Sequence, residues 1–223
     1  MIPAHNEGKT IGDVVVRCHR TLPEANILVI NDGSTDDTQM KAAGNCFMIS
    51  HPIAFGKGSA IRSAWLWLTW TQKLSPEDVI IMLDADGQHK PEDIPSLIKE
   101  LDHYDMVVGK RNLDKYPFHK KFGNRALSML ASMFSGQKIE DGECGFRVLK
   151  YKMMYDLLKT VNAQQYEIEM EINIVAGQMG YDIKYVPIDV PFYRSGVKIG
   201  GGIKNGWAGF KTWLKIKVGW LAW

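Results

Sequence analysis

The sequence predicts an α/β protein with a mostly parallel central sheet and helices on both faces. Short apolar runs alternate with helical stretches over the first 110 of its 223 residues, which is the pattern of repeated strand–helix–strand units. The run Val79–Leu83 is apolar without alternation, as expected for a strand buried on both faces. Polar and glycine-containing segments directly follow several of these runs, where open α/β sheets keep their ligand crevice.

Each element is predicted from its local pattern. Strands are expected at Ile27–Ile30, Phe47–Ile49, Val79–Leu83, Met106–Val108 and Ile183–Val186. Helices are expected at about Thr10–His19, Gly58–Gln72, Glu92–Leu101, Asn124–Phe134 and Glu167–Met179. A helix start is indicated near Pro91, because proline is tolerated in the first turn and the acids after it lie at the positive end of the helix. A first strand before Pro3 is expected to be very short.

Composition excludes several classes of protein. A net charge of +2 argues against a dedicated nucleic-acid binder. Three cysteines, widely spaced and without a Cys-x-x-Cys pair, predict reduced thiols in a cytosolic compartment rather than disulfides or a zinc site. We find no signal peptide and no apolar window of about 18 residues, so neither secretion nor a membrane span is expected.

Basic residues concentrate in two segments, 110–125 and the stretch after Asp189, which contains no acid at all. Residues 201–223 are predicted to form an amphipathic helix on a membrane surface, because tryptophans and lysines flank an apolar stripe. The stripe is formed by Ile203, Trp207, Phe210, Leu214, Val218 and Leu221, beside Lys204, Lys211 and Lys215. The alternative is a C-terminal helix packed on the protein's own core.

Four motifs fall at the expected ligand edge of the sheet. They are PAHNE from Pro3, NDGSTDD from Asn31, GKGSAIR from Gly56 and DADGQH from Asp84. Each is weak alone, since a turn or a helix cap explains it equally well. Neither a P-loop nor a G-x-G-x-x-G dinucleotide fingerprint is present. Two carboxylates leaving one strand can share a hard divalent cation, which prefers oxygen ligands.

Taken in order, these motifs together with GKRN, DGECGFR and YRSGVKIG resemble the family 2 glycosyltransferases with the GT-A fold, a Rossmann-like architecture. The resemblance is to the dolichyl- or polyprenyl-phosphate sugar transferases in particular. It implies one catalytic domain over residues 1–200, with a nucleotide-sugar half at 1–109 and an acceptor half at 110–200. Residues 201–223 would form the membrane-surface helix.

The resemblance also implies the donor side of the site. The family's DxD motif falls on Asp84 and Asp86, which with Gln88 would hold Mg²⁺ or Mn²⁺ against the nucleotide diphosphate. Asp32 would accept a hydrogen bond from the base, and Asn31 stands where the family often has another aspartate. The nucleotide-binding set implied in this way is Pro3, Ala4, His5, Glu7, Asp32, Lys57, Asp84, Ala85, Arg194 and Lys198.

On the acceptor side, Arg111, Lys120 and Asn124 match the family's lipid-phosphate site, with lysine at 120 where arginine is usual. Asp141 matches the acceptor-side aspartate and is predicted to act as a base or as an orienting residue. The implied catalytic residues are therefore Asp86, Asp141 and Arg111. Glu169 and Glu171 are expected to be structural.

The predicted activity is inverting transfer of a hexose from a UDP- or GDP-linked sugar to dolichyl or polyprenyl phosphate. The enzyme would be peripheral on the cytoplasmic face of a membrane. A phosphate acceptor is already charged and needs cationic positioning, whereas a hydroxyl acceptor needs a base. The alternatives are a family 2 enzyme acting on a glycan or other hydroxyl, a sugar nucleotidyltransferase, and a non-catalytic membrane-associated protein that binds nucleotide sugars.

Overall fold

The computed structural model describes residues 1–44, 46–112 and 118–190, apart from the side chains of residues 118–120. Its strands are β1 (Ile2–Ala4), β2 (Leu28–Asp32), β3 (Phe47–His51), β4 (Val79–Met82), β5 (Met106–Arg111), β6 (Arg147–Lys150) and β7 (Ile183–Ile188). Its helices are α1 (Ile11–Thr21), α2 (Thr38–Ala42), α3 (Lys57–Thr71), α4 (Ile94–Glu100), α5 (Phe118–Ser135), α6 (Tyr151–Thr160) and α7 (Ile168–Gln178). Every strand and helix predicted within the described residues is present, with boundaries shifted by a few residues.

The strands form two hydrogen-bonded sheets, and three of their five strand pairings are parallel, in line with the predicted mostly parallel class. A parallel trio, β1-β2-β3, lies beside a four-stranded group in the order β4-β6-β5-β7. The two are joined where the backbone N–H of Leu83 donates to the carbonyl of Met1 at 3.1 Å. The exception is β6, which runs antiparallel between β4 and β5 and is absent from the sequence prediction.

Helices cover both faces of the sheet, which confirms the predicted class. Successive side chains of a strand point to opposite faces, and β2 is buried along its whole length. Val29 belongs to the large core that also contains the buried side chains of α1. Leu28 and Ile30 instead pack with alanines of α3. The sheet is therefore sandwiched, and its carboxyl edge is the place left open for a ligand.

Helix α5 packs on α7 and leaves its other side exposed. Leu127 and Ala131 form a small core with Met170 and Ile174. The predicted C-terminal helix at 201–223, and with it Arg194 and Lys198, lies outside the described residues. Within the parts of the chain that the structure describes, no helix is long and apolar enough to cross a membrane. The predicted division at residue 109 falls inside β5.

Candidate active site

A cleft of about 340 Å³ opens at the carboxyl edge of β1, β2 and β4. We call it the sheet-edge cleft. Eight of the predicted nucleotide-binding residues are described, and the structure brings all eight together in its wall, along with Asp86. The full lining is Pro3, Ala4, His5, Glu7, Asp32, Ala54, Gly56, Lys57, Ala60, Asp84, Ala85, Asp86, Gln165 and Tyr166.

The loop after β1 is fixed to the loop after β2 by side-chain hydrogen bonds. His5 Nδ1 donates to the carbonyl of Asp32 at 2.7 Å, so this nitrogen carries the ring proton. Asn6 adopts a left-handed φ of 57°, which asparagine tolerates better than most residues. In this conformation its side-chain oxygen accepts from the backbone N–H of Thr35 at 2.8 Å. The exposed ring of His5 is thereby held at the rim of the cleft.

Asp32 organises the segment that precedes α3. Its carboxylate accepts from the backbone N–H groups of Phe55 and Gly56 at 2.9 and 2.7 Å, and from His51 Nδ1 at 2.7 Å. Burial acts to raise the pKa of Asp32, but these donors outweigh it and hold the pKa below its ordinary value. In the structure, Asp32 therefore holds the backbone of this segment in place. The predicted contact with the nucleotide's base would be a second role of the same residue.

The α6–α7 loop closes over the same segment. The backbone N–H of Ser59 donates to the carbonyl of Gln164 at 3.1 Å, and a Cβ on Gly58 would lie 2.3 Å from the carbonyl oxygen of Ala163. Only glycine fits there, which explains the second glycine of the GKG motif. The loop places Gln165 and the exposed ring of Tyr166 in the cleft wall. Sequence reasoning missed both, because an isolated tyrosine in a polar loop carries no pattern.

Lys57 joins three elements at the floor of the cleft. Its Nζ lies 2.5 Å from Asp84 Oδ1 and 2.5 Å from Glu169 Oε1. Burial acts to lower the pKa of Lys57, but the two carboxylates raise it above its ordinary value. Burial likewise acts to raise the pKa of Asp84, whereas Lys57 and His89 together lower it to about 2. Lys57 is therefore an ammonium and Asp84 a carboxylate at neutral pH.

Asp86 stands on the turn after Asp84 and is oriented by the next polar residue. Gln88 donates to its carboxylate from the backbone N–H at 3.0 Å and from Nε2 at 2.8 Å. The side-chain nitrogen of Gln88 therefore faces Asp86. The side-chain oxygen of Gln88 is the atom that remains to coordinate a cation. Gln88 itself does not line the cleft.

The charges of the cleft fit a divalent cation. Four of the described lining residues carry carboxylates, and Lys57 is the only lysine or arginine among them. The pKa of Glu7 is raised by burial and by the nearby Asp86, Asp36 and Asp84. No group of three His, Cys, Asp or Glu side chains in the described ranges is placed to hold a metal on its own. A hard cation here would take one or two carboxylates and complete its shell from a phosphate ligand and water.

Arg111, at the end of β5, forms the centre of a second polar unit. Its guanidinium donates to both carboxylate oxygens of Asp141 at 2.8 Å, and Asn124 Nδ2 donates to the same carboxylate at 3.3 Å. Burial acts to raise the pKa of Asp141, but Arg111 outweighs it and the pKa falls below its usual range. Asp141 is 1% exposed and already accepts these bonds. The geometry therefore favours the orienting role over that of a base.

A groove of about 530 Å³ runs along α5 beside this unit, and we call it the α5 groove. It is lined by Lys110, Lys121, Asn124, Arg125, Ser128, Met129, Ser132, Lys138, Ile139 and Glu140. Its described basic side chains outnumber the single acid, Glu140. Of the predicted acceptor residues, Arg111 and Asn124 are neighbours of Asp141, and Lys120 lies in the first turn of α5 with its side chain outside the described part.

The structure is an α/β fold with an acidic cleft at the carboxyl ends of its strands, which is where open α/β proteins bind their ligands. The profile of glycosyl transferase family 2 matches residues 1–161. The chain therefore belongs to this family and is a family 2 glycosyltransferase.

Relatives extend this result over nearly the whole chain. A UDP-N-acetylglucosamine–dolichyl-phosphate N-acetylglucosaminyltransferase of Methanococcus voltae is 28% identical over 98% of this chain and 95% of its own length. An undecaprenyl-phosphate mannosyltransferase of Micrococcus luteus is 24% identical over 91% of this chain and 87% of its own length. Among solved structures, glucosyl-3-phosphoglycerate synthase from Mycobacterium tuberculosis, in complex with Mn²⁺, UDP and its product, has a TM-score of 0.71. At 20% identity it covers 96% of this chain and 77% of that one, and it supports the GT-A fold alone.

Proposed function

We propose that the protein is an inverting glycosyltransferase that moves a hexose from a UDP- or GDP-linked sugar to a dolichyl or polyprenyl phosphate. The observation that carries the proposal is the pairing of two unlike polar sites. An acidic cleft suited to a metal-bound nucleotide diphosphate lies at the sheet edge. Beside it, Arg111 and a basic groove suit a second, anionic substrate. The names of the relatives from Methanococcus voltae and Micrococcus luteus agree with such an acceptor.

On the donor side, four carboxylates would repel a nucleotide diphosphate unless cations intervene. We propose Mg²⁺ or Mn²⁺, held by Asp86 with Asp84 and Gln88 close by. When bound, the cation would stabilise the charge that develops on the leaving phosphate. The loops after β1 and β2 would bind the nucleoside, with His5 and Tyr166 at the rim. Arg194 and Lys198, outside the described residues, are proposed to contact the diphosphate from the other side.

On the acceptor side, the chain offers positioning rather than proton abstraction. A phosphate monoester is ionised at neutral pH and can attack without a base. Asp141 is engaged with Arg111 and orients its guanidinium. Arg111, Asn124 and Lys120 would hold the phosphate in line with the sugar carbon, and alignment of this kind accounts for much of the rate of group transfer. A hydroxyl acceptor would need a carboxylate that is free to take its proton.

A lipid acceptor also requires contact with a membrane surface. Helix α5 presents apolar side chains to solvent: Phe122 is 68% exposed, Met129 76% and Met133 66%. Together with the basic groove beside them, they form a surface compatible with anionic lipid headgroups. We propose that this face and the segment 201–223 lie against the cytoplasmic face of a membrane. The enzyme would then be a peripheral membrane protein.

The test is a panel of UDP- and GDP-linked sugars examined by thermal shift with Mn²⁺, followed by transfer to a short-chain polyprenyl phosphate. One nucleotide sugar should raise the melting temperature only when Mn²⁺ is present, and the same sugar should appear on the lipid phosphate. A family 2 enzyme with a hydroxyl acceptor would bind the donor but refuse the lipid phosphate. A protein that binds a nucleotide sugar and transfers it to nothing would be the non-catalytic alternative.

A further inference from the structure

Lys57 occupies a position that two carboxylates would otherwise offer to a metal ion. It starts α3, whereas Asp84 follows β4 and Glu169 lies in the first turn of α7. Both carboxylate oxygens lie 2.5 Å from the same Nζ atom, so they are at most twice that distance apart. We call these three side chains the Lys57 cluster.

The two acids of the Lys57 cluster are held in place by groups other than their ion pairs. Glu169 is 3% exposed, and its backbone carbonyl accepts from the buried guanidinium of Arg147 at 2.9 Å. A Cβ on Gly145 would lie 2.6 Å from Asp84 Oδ2, so the carboxylate of Asp84 fills the space above that glycine. The two acids therefore cannot separate easily, and without a cation between them one carboxylate would have to take up a proton.

Without Lys57, Asp84 and Glu169 would present oxygen ligands to one point in space at a spacing that suits a hard divalent ion. An ion bound there would share Asp84 with a cation on Asp86. Two divalent ions so close would share that carboxylate as a bridge and would change the number of metal ions that a nucleotide diphosphate meets. The ammonium of Lys57 pairs with both carboxylates through one positive charge, and unlike a metal ion it takes no further ligands.

We propose that Lys57 is a positioning residue that acts as a permanent cation between Asp84 and Glu169. It excludes a divalent ion from this position and confines the metal to the Asp86 side of the cleft. Lys57 then sets the metal stoichiometry of the enzyme instead of binding the nucleotide directly. Glu169, expected from the sequence to be structural, becomes the counterion that holds Lys57 away from the donor. The inference deepens the proposed function but concerns binding of the metal alone.

The experiment measures Mn²⁺ binding to nucleotide-free protein by electron paramagnetic resonance of the free ion, with calorimetry as a second readout. The variants are Lys57→Met, Lys57→Arg and the double variant Lys57→Met/Glu169→Gln. Lys41→Met, on the exposed side of α2, is the matched control for loss of a lysine. Because nucleotide and acceptor are absent, the result is independent of whether the protein transfers any sugar.

Lys57→Met should gain one Mn²⁺ site per chain that the wild type and Lys41→Met lack, with affinity at least tenfold above any residual binding. Lys57→Arg should not gain it, because the positive charge remains. The double variant should lose it again, because the carboxylate pair is broken. If Lys57→Met folds only when Mn²⁺ is added, that dependence also supports the proposal. The same metal stoichiometry in Lys57→Met as in the wild type, or an added site that survives Glu169→Gln, would overturn it.

Discussion

The guanidinium of Arg111 and the carboxylate of Asp141 form a two-pronged ion pair, with Nε 2.8 Å from Oδ2 and Nη2 2.8 Å from Oδ1. Asp141 is 1% exposed and Arg111 19%. Paired bonds of this kind fix the plane of the guanidinium as well as its position. The end of β5 is therefore tied to the loop that carries the DGECGFR motif, and the guanidinium of Arg111 is held in one orientation.

Arg111→Ala should raise KM for polyprenyl phosphate and leave the affinity for the donor nucleotide unchanged. It should also lower the free energy of unfolding by ~3–5 kcal/mol, because Asp141 is left as an unpaired buried charge. The double variant Arg111→Met/Asp141→Asn removes both charges and should recover most of the stability but not the low KM. Recovery of both would mean that Arg111 acts only in folding.

Asp86→Asn should reduce transfer by about 100-fold or more, because it removes a carboxylate from the proposed cation site at the point where leaving-group charge develops. The fold should be retained, since Asp86 lies on a half-buried turn and its described partner is Gln88. Asp102→Asn, at an exposed position after α4, serves as the control. Activity of Asp86→Asn equal to that of the control, or wild-type activity that withstands EDTA, would contradict the metal assignment.

Asp32→Asn should weaken binding of the nucleotide by ~1–3 kcal/mol, the range for leaving buried donors without an acceptor. The amide of asparagine cannot satisfy Phe55, Gly56 and His51 together, so the segment before α3 should loosen. Calorimetry with the nucleoside diphosphate and Mn²⁺ measures the change. Affinity identical to the wild type would show that this segment does not form the pocket.

Acid should destabilise the protein mainly below about pH 4. The pKa values of Asp32, Asp84 and Asp141 are all lowered by folding, that of Asp84 to about 2. A carboxylate with a depressed folded pKa contributes stability above its unfolded value, near 3.9, and loses it as the pH falls toward the folded value. Urea unfolding from pH 6 to pH 2 should show this loss. The slope should be shallower in Asp32→Asn, and an unchanged slope would remove Asp32 from the explanation.

The segment after Gly206 is predicted to bind membranes. A chain that ends at Gly206 should sediment less with liposomes, most clearly with anionic ones, because it lacks the three lysines at 211, 215 and 217 and all of the apolar stripe except Ile203. Its activity on a short, water-soluble acceptor should persist. If the shortened chain binds liposomes as well as the full chain, either the segment packs on the protein or α5 is sufficient for binding.

The sequence predicted the structure best where a local residue pattern is compatible with a single type of element. The apolar run at Val79–Leu83 and the polar motifs after it predicted both the strand and the ligand edge. Strand β6 escaped prediction because Arg147 reads as a surface residue, whereas it is fully buried and donates to Cys144, Asn173 and Glu169. Pairings of this kind join positions far apart in the chain. The role of Lys57 was hidden for the same reason, since its partner Glu169 lies 112 residues away in the sequence.

The most direct test of the proposed function is a competition between two acceptors of the same chain length, a short polyprenyl phosphate and the corresponding polyprenol. Both are supplied with Mn²⁺ and the nucleotide sugar that the panel identifies, and products are separated by mass spectrometry. The proposed function predicts sugar on the phosphate alone, with release of a nucleoside diphosphate and loss of product in EDTA. Sugar on the polyprenol, or no product from the phosphate, would contradict it.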